Sequence, residues 1–246
     1  MTVSAATSPV LAGATGSVVI TGVAKAGQLG DALARSIAGA GKQVAIVARS
    51  LVDATARAAE MRRDGLNVHP FACDLADSGA AAELARDVSL RLGRVDALIN
   101  AAGGFAVSGP VAHANPAVMA RQFSVNVATA FNATQAFLPA LREARGAIVF
   151  VASASALPGA RVSNVSAYAM AKSAVLSLMR AVAQEEHAHG VRANAIAPGS
   201  IRTLSNVATM PADTRYVEPD EVAAIVRFLC SPAASSVTGQ VLELTP

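Results

Sequence analysis

Ser17-Val18-Val19-Ile20-Thr21-Gly22-Val23-Ala24-Lys25-Ala26-Gly27-Gln28-Leu29-Gly30 decides how the chain is to be read. The β-branched run Ser17–Thr21 predicts a short buried parallel strand that opens directly into a glycine-bearing turn. Beyond the turn, Ala32, Leu33, Ile37 and Ala38 recur at helical spacing. Strand, glycine-rich turn and helix is an arrangement in which backbone N–H groups and a helix N-terminus receive a pyrophosphate, glycine allowing close approach. Gly41 ends the helix, and residues 43–48 predict the next parallel strand.

The same rhythm continues outward. Helices are predicted over 54–64, 78–92, 118–141, 166–189 and 221–229, and strands over 68–72, 97–100, 147–151, 192–196 and 240–244. Alternating β and α without hairpin signals implies an α/β protein: one Rossmann domain, a doubly wound parallel sheet of about seven strands with helices on both faces. Residues 1–16 read as a flexible N-terminal extension and 17–246 as the single domain.

A hydrophobic fraction of 53% against 15% charged residues implies an extensive core and further apolar surface buried between subunits. No apolar run reaches the ~18 residues that a membrane span needs. The first residues lack a basic segment leading into an apolar one, so a cytoplasmic location is expected. Cys73 and Cys230 read as core thiols, and the net charge of +3 is too small and too dispersed for nucleic acid. His187 and His189 diverge on a helix while His69 and His113 lie in unrelated segments, so no metal site is expected.

Tyr168-Ala169-Met170-Ala171-Lys172 carries the chemistry. Four apart on a helix, the phenol and the ammonium point into one cleft, and a cation held close favours the phenolate. Tyr168 is therefore a candidate general acid or base. Asn100-Ala101-Ala102-Gly103-Gly104, at the end of the fourth strand, leaves room for a flat ligand. Glu185 and Glu186 read as solvated surface. Met119, Phe123, Phe131, Phe137 and Leu141 read as core or subunit interface.

Taken together, Thr21-Gly22, Cys73-Asp74-Leu75, Asn100-Ala101-Ala102-Gly103, Ser124-Val125-Asn126-Val127, a serine after strand five, Tyr168-x3-Lys172 and Pro198-Gly199 with Thr203 resemble the short-chain dehydrogenase/reductase family over nearly the whole chain. The resemblance implies an oxidoreductase that moves a hydride between nicotinamide and a carbonyl, hydroxyl or quinonoid substrate. Tyr168 would be the proton donor or acceptor, Lys172 would hold the ribose and lower the Tyr168 pKa, and Asn126 would anchor a water in a proton relay. Cofactor contacts would come from Gly22, Lys25, Gln28, Leu29, Arg49, Asp74, Leu75, Asn100, Ala101, Ala102, Gly103, Pro198, Gly199, Ile201 and Thr203, besides Tyr168 and Lys172. A homotetramer or dimer is implied, built on helices 118–141 and 167–188.

The chain departs from the family pattern in three places. Two extra residues separate Gly22 from Gly30, with Gln28 where a glycine is usual, as in the loop of enoyl-acyl-carrier-protein reductases. Those enzymes space tyrosine and lysine seven apart, and position 165 is Val165, so carbonyl reduction is favoured. Counting from the strand selects Ser153 as the catalytic serine and counting back from Tyr168 selects Ser155; the strand end is the firmer anchor and favours Ser153. Thr203, Asn206, Met210-Pro211 and Asp213 resemble the quinonoid dihydropteridine reductase branch, leaving it open beside a 3-ketoacyl reductase branch.

Ala48 and Arg49 occupy the end of the second strand, where a carboxylate would accept from the 2′-hydroxyl of NAD. Arg49 offers a guanidinium fork to a 2′-phosphate, and Lys25 a second charge. NADP(H) is the expected cofactor and NAD(H) the alternative. A nucleotide-binding protein without turnover is the competing reading.

Overall fold

The computed structural model describes residues 16–246, so the expected 1–16 extension lies outside the described residues except for Gly16. The strands are β1 (Ser17–Thr21), β2 (Gln43–Ala48), β3 (Val68–Ala72), β4 (Val95–Asn100), β5 (Ala147–Val151), β6 (Arg192–Pro198) and β7 (Val241–Leu244). They form one sheet in the order β3-β2-β1-β4-β5-β6-β7, every neighbouring pair parallel. Alternation along each strand feeds two cores. Val18, Ile20, Ala97, Ile99 and Val149 point to one face, with α1 (Leu29–Gly39), α2 (Leu51–Arg63) and α8 (Pro219–Cys230). Val19, Leu98, Ile148 and Phe150 point to the other, with α3 (Ser78–Leu92), α5 (Thr129–Ala144) and α6 (Ser166–Glu185). Side chains two apart on a strand share a face, so each strand supplies both cores.

The connection after β1 runs outward to β2 and β3, and the chain then returns to lay β4 against the other side of β1. That reversal opens a crevice beyond the carboxyl ends of β1 and β4, the position at which open α/β sheets take ligands. Thr21 fixes the crevice floor: its hydroxyl accepts the N–H groups of Ala101 at 3.0 Å and Ala102 at 2.9 Å, tying the two strand ends together.

Several elements differ from the sequence reading. The helix expected over 118–141 starts at Pro116 and is broken: α4 (Pro116–Phe123) passes through a π-helical turn, Ser124–Ala128, before α5. The π turn spans only Ser124–Ala128, too short to give a periodic signal of its own. The helix expected over 166–189 ends at Glu185 and continues as a 3₁₀ turn, His187–His189, closed by Gly190 at φ 76°. A further short helix, α7 (Leu204–Thr209), is capped by the Thr203 hydroxyl, which accepts from the Asn206 N–H. Glu186 is not solvated surface. Its carboxylate is buried and receives two 2.7 Å hydrogen bonds from Arg142, joining the end of α6 to α5.

Candidate active site

The glycine-bearing loop takes its shape from its own sequence. Gly22 has φ 81°, and a Cβ there would lie 2.8 Å from the backbone of Ala102. A Cβ on Gly30 would lie 2.6 Å from the Gly22 carbonyl, so the first turn of α1 can approach β1 only without a side chain. Asp31, buried in that turn, accepts the Gly27 N–H at 3.1 Å and stands near Arg57, itself buried and paired with Glu60. The carboxylate suits the helix N-terminus and pins the loop at once.

Gly27 and Gln28 carry this loop to α7. Gly27 carbonyl accepts the Leu204 N–H at 3.0 Å, and Ser205 Oγ donates to Gln28 Oε1 at 2.8 Å. A Cβ on Gly27 would collide with the Leu204 side chain at 2.5 Å. The α7 helix is thereby clasped against the loop, roofing the crevice.

Below that roof lies a cavity of about 520 Å³, lined by Lys25, Gln28 and Leu29 of the loop, Ala101 and Gly103 after β4, Ser153, Tyr168 and Lys172, and Pro198, Gly199, Ile201 and Thr203 after β6. A second cavity of about 660 Å³ is lined by Arg49, Asp74, Leu75, Ala102, Arg121 and Gln122. The two meet along Gly22, Ala24 and Gly103–Phe105, making one elongated cleft. Lys25 lines the Tyr168 half and Arg49 the other. The companion of Arg49 in its half is Arg121, on α4, which the sequence reading passed over. Asn100 lines neither half: its Nδ2 donates to the Thr134 hydroxyl inside the core, making it a strut between β4 and α5.

Lys172 is 6% exposed, and its ammonium donates to the Val151 carbonyl at 2.8 Å. Burial pulls its pKa down to about 8. Gly103 faces both Lys172 and Asn126, because a Cβ there would stand 3.4 Å from Nζ and 2.6 Å from Asn126 Oδ1. Asn126 is buried in the π turn. Its Oδ1 accepts from the Gly104 N–H, and its Nδ2 donates to the carbonyls of Gly104 and Gln122. Ser153 lines the cleft and accepts from the Ser155 hydroxyl at 3.0 Å, whereas Ser155 does not line it.

Burial raises the Tyr168 phenol above its ordinary range, with the Ser153 hydroxyl pulling it the other way. The expected lowering by Lys172 is not found. The ammonium lies 5.8 Å from the ring centre and is aimed at Val151, so desolvation governs the phenol. Among the described residues no group of three or more His, Cys, Asp or Glu side chains could hold a metal ion.

Residues 17–213 match the family model described as short chain dehydrogenase. The chain belongs to the short-chain dehydrogenase/reductase family, whose members are NAD(P)-dependent oxidoreductases acting on small molecules. Over 200 residues, 76% of each chain, it is 34% identical to (5R,7aS)-5-hydroxy-7a-methyl-1-oxo-2,3,5,6,7,7a-hexahydro-1H-indene-carboxyl-CoA reductase of Mycobacterium tuberculosis. It is 30% identical over 198 residues, again 76% of each chain, to 7alpha-hydroxysteroid dehydrogenase of Escherichia coli. Among solved structures, 3-oxoacyl-[acyl-carrier protein] reductase of Brucella melitensis superposes with a TM-score of 0.83 at 30% identity, covering 94% of this chain and 90% of that one.

The crevice fits a nicotinamide dinucleotide on its own geometry. Gly22 and Gly30 let the loop and α1 pack closely against the strand ends without side chains, Gly103 lines both halves of the cleft, and the N-terminus of α1 opens toward it. No helix among the described residues is long and apolar enough to cross a membrane.

Proposed function

We propose that this protein is an NADP(H)-dependent oxidoreductase interconverting a carbonyl compound and its alcohol, with Tyr168 as general acid and base. The observation that carries the reading is the convergence of Ser153, Tyr168 and Lys172 on one wall of a glycine-floored cleft. The cofactor, when bound, supplies or accepts the hydride. Tyr168 is neutral at pH 7, because burial raises its pKa, and so stands ready to give its proton to a developing alkoxide. Ser153 donates a second hydrogen bond to the same oxygen, its own lone pair already occupied by Ser155. Lys172 holds the ribose, and Asn126, fixed in the π turn, anchors the water that restores the Tyr168 proton.

The adenine half supports NADP(H) over NAD(H). Arg49 and Arg121 both line it, and the strand end bears Ala48 where a carboxylate would repel a 2′-phosphate. Asp74 and Leu75 lie on the adenine side, and Pro198, Gly199, Ile201 and Thr203 on the nicotinamide side. Exposed Met119, Phe123, Phe131 and Met170 on α4–α6 support association into a homodimer or homotetramer through these helices. The free thiols of Cys73 and Cys230 accord with a cytoplasmic location.

The test is a screen of NADPH oxidation over ketones, 3-ketoacyl thioesters, quinones and dihydropterins with the purified protein. Turnover of at least one class supports the reading. Silence on every class despite tight NADPH binding would replace it by nucleotide binding without catalysis.

A further inference from the structure

We propose that Phe105 selects the substrate of this site, and that the substrate class is an uncharged, apolar, ring-bearing ketone or the corresponding alcohol. The proposal rests on the oxidoreductase reading above and goes beyond it in naming what is reduced.

Phe105 follows β4 and is 63% exposed, yet its ring stands edge-on to Tyr168 with centroids 5.1 Å apart and planes at 78°. An aromatic ring left in water beside the acid–base group is an unused binding surface. The strap that carries it is pinned at both ends. On one side Gly104 is held through its N–H and its carbonyl by Asn126. On the other, the N–H groups of Ser108 and Gly109 and the Ser108 hydroxyl converge on the carbonyl of Asn164 at 2.7, 3.1 and 3.2 Å. Asn164 adopts φ 65°, one of two non-glycine residues at positive φ among the described residues. Backbone held in that region is a cost sustained by the surrounding contacts, here the three donors it receives. The ring is therefore presented, not merely loose.

Val107, on the same strap, is exposed as well. Charge argues the same way. The charged residues lining the Tyr168 half are Lys25, of the glycine-bearing loop, and Lys172, and the reading above gives both to the cofactor. No carboxylate lines it. With both cations engaged by the cofactor, a keto acid would lose water from its carboxylate there with no partner to receive it. A neutral ring would exchange water for the ring of Phe105.

The full-chain protein at saturating NADPH is assayed with cyclohexanone, 2-decalone, a steroid ketone, pyruvate and acetoacetate, in the wild type and in Phe105→Ala and Phe105→Leu. In the wild type kcat/KM should rise roughly tenfold from cyclohexanone to decalone and fall roughly tenfold or more for the two acids. Phe105→Ala should flatten the ring-size series to within about threefold, and Phe105→Leu, which keeps the apolar volume, should restore about half of its slope on a logarithmic scale. The proposal is overturned if the acids match the cyclic ketones, or if Phe105→Ala slows all substrates equally and leaves the slope intact. Turnover of the acids alone would remove this proposal and leave the oxidoreductase standing. Silence with every ketone, quinone and dihydropterin would remove both.

Discussion

The Lys172 ammonium lies 5.8 Å from the centre of the Tyr168 ring and is anchored on the Val151 carbonyl, one turn of α6 below the phenol. Both groups are desolvated, and burial drives their pKa values apart: Tyr168 upward from 10 and Lys172 down to about 8. Burial favours the neutral form of each, so below pH 8 the site holds a protonated phenol beside a charged amine.

Cofactor affinity should therefore depend on pH with a midpoint near 8. The charged form of Lys172 predominates below that value and attracts an anionic dinucleotide; above it the charge is lost and binding weakens. Fluorescence titration of NADPH between pH 6.5 and 9.5 should show Kd rising on the alkaline side. A Kd flat across that range would show that the lysine charge contributes nothing.

Arg49→Asp should reverse the cofactor preference. Losing a charge-assisted contact to the 2′-phosphate costs about 2 kcal/mol, roughly 30-fold in the KM for NADPH, while NADH gains an acceptor for its 2′-hydroxyl. Arg121→Ala should weaken NADPH in the same direction but less. Comparison of kcat/KM for the two cofactors checks this, and equal wild-type efficiency with both would end the argument.

The clasp between Gln28 and Ser205 predicts slow cofactor exchange. Ser205→Ala removes one hydrogen bond worth about 1 kcal/mol and should raise the NADPH dissociation rate roughly fivefold. Stopped-flow displacement measures it. An unchanged rate would mean that α7 opens independently of the loop.

Most of this architecture is legible in the sequence because a parallel strand buried on both faces is a short apolar run. Residues 17–21, 43–48, 68–72 and 147–151 are strands with the bounds expected from the sequence. What periodicity cannot see is what carries position within the site. The π turn that sets Asn126 is five residues long and α7 six, both too short for a periodic signal. Arg121 and Phe105 reach the cleft only through the strand order, and Asn100 leaves it because Thr134, far along the chain, offers its side chain a partner.

Glu186 should make the fold acid-sensitive. Its two bonds from Arg142 hold the carboxyl below its usual 4.5, so the stabilisation is fully present above that value and is lost as pH falls through the lower folded pKa. The drop in Tm between pH 6 and pH 3 should be smaller in Glu186→Gln than in the wild type. Parallel Tm curves for the two proteins would assign the acid response to other carboxylates.

The most direct test of the proton-transfer account is a pair of measurements on Tyr168→Phe: its rate with a ketone that the wild type reduces, and its NADPH Kd. The substitution removes one oxygen and leaves the ring against Phe105. General acid catalysis at this site predicts a loss of roughly 100-fold or more in kcat with Kd close to wild type. Retention of more than about a tenth of the wild-type rate, given that expected loss, would contradict the assignment of Tyr168 as the proton donor.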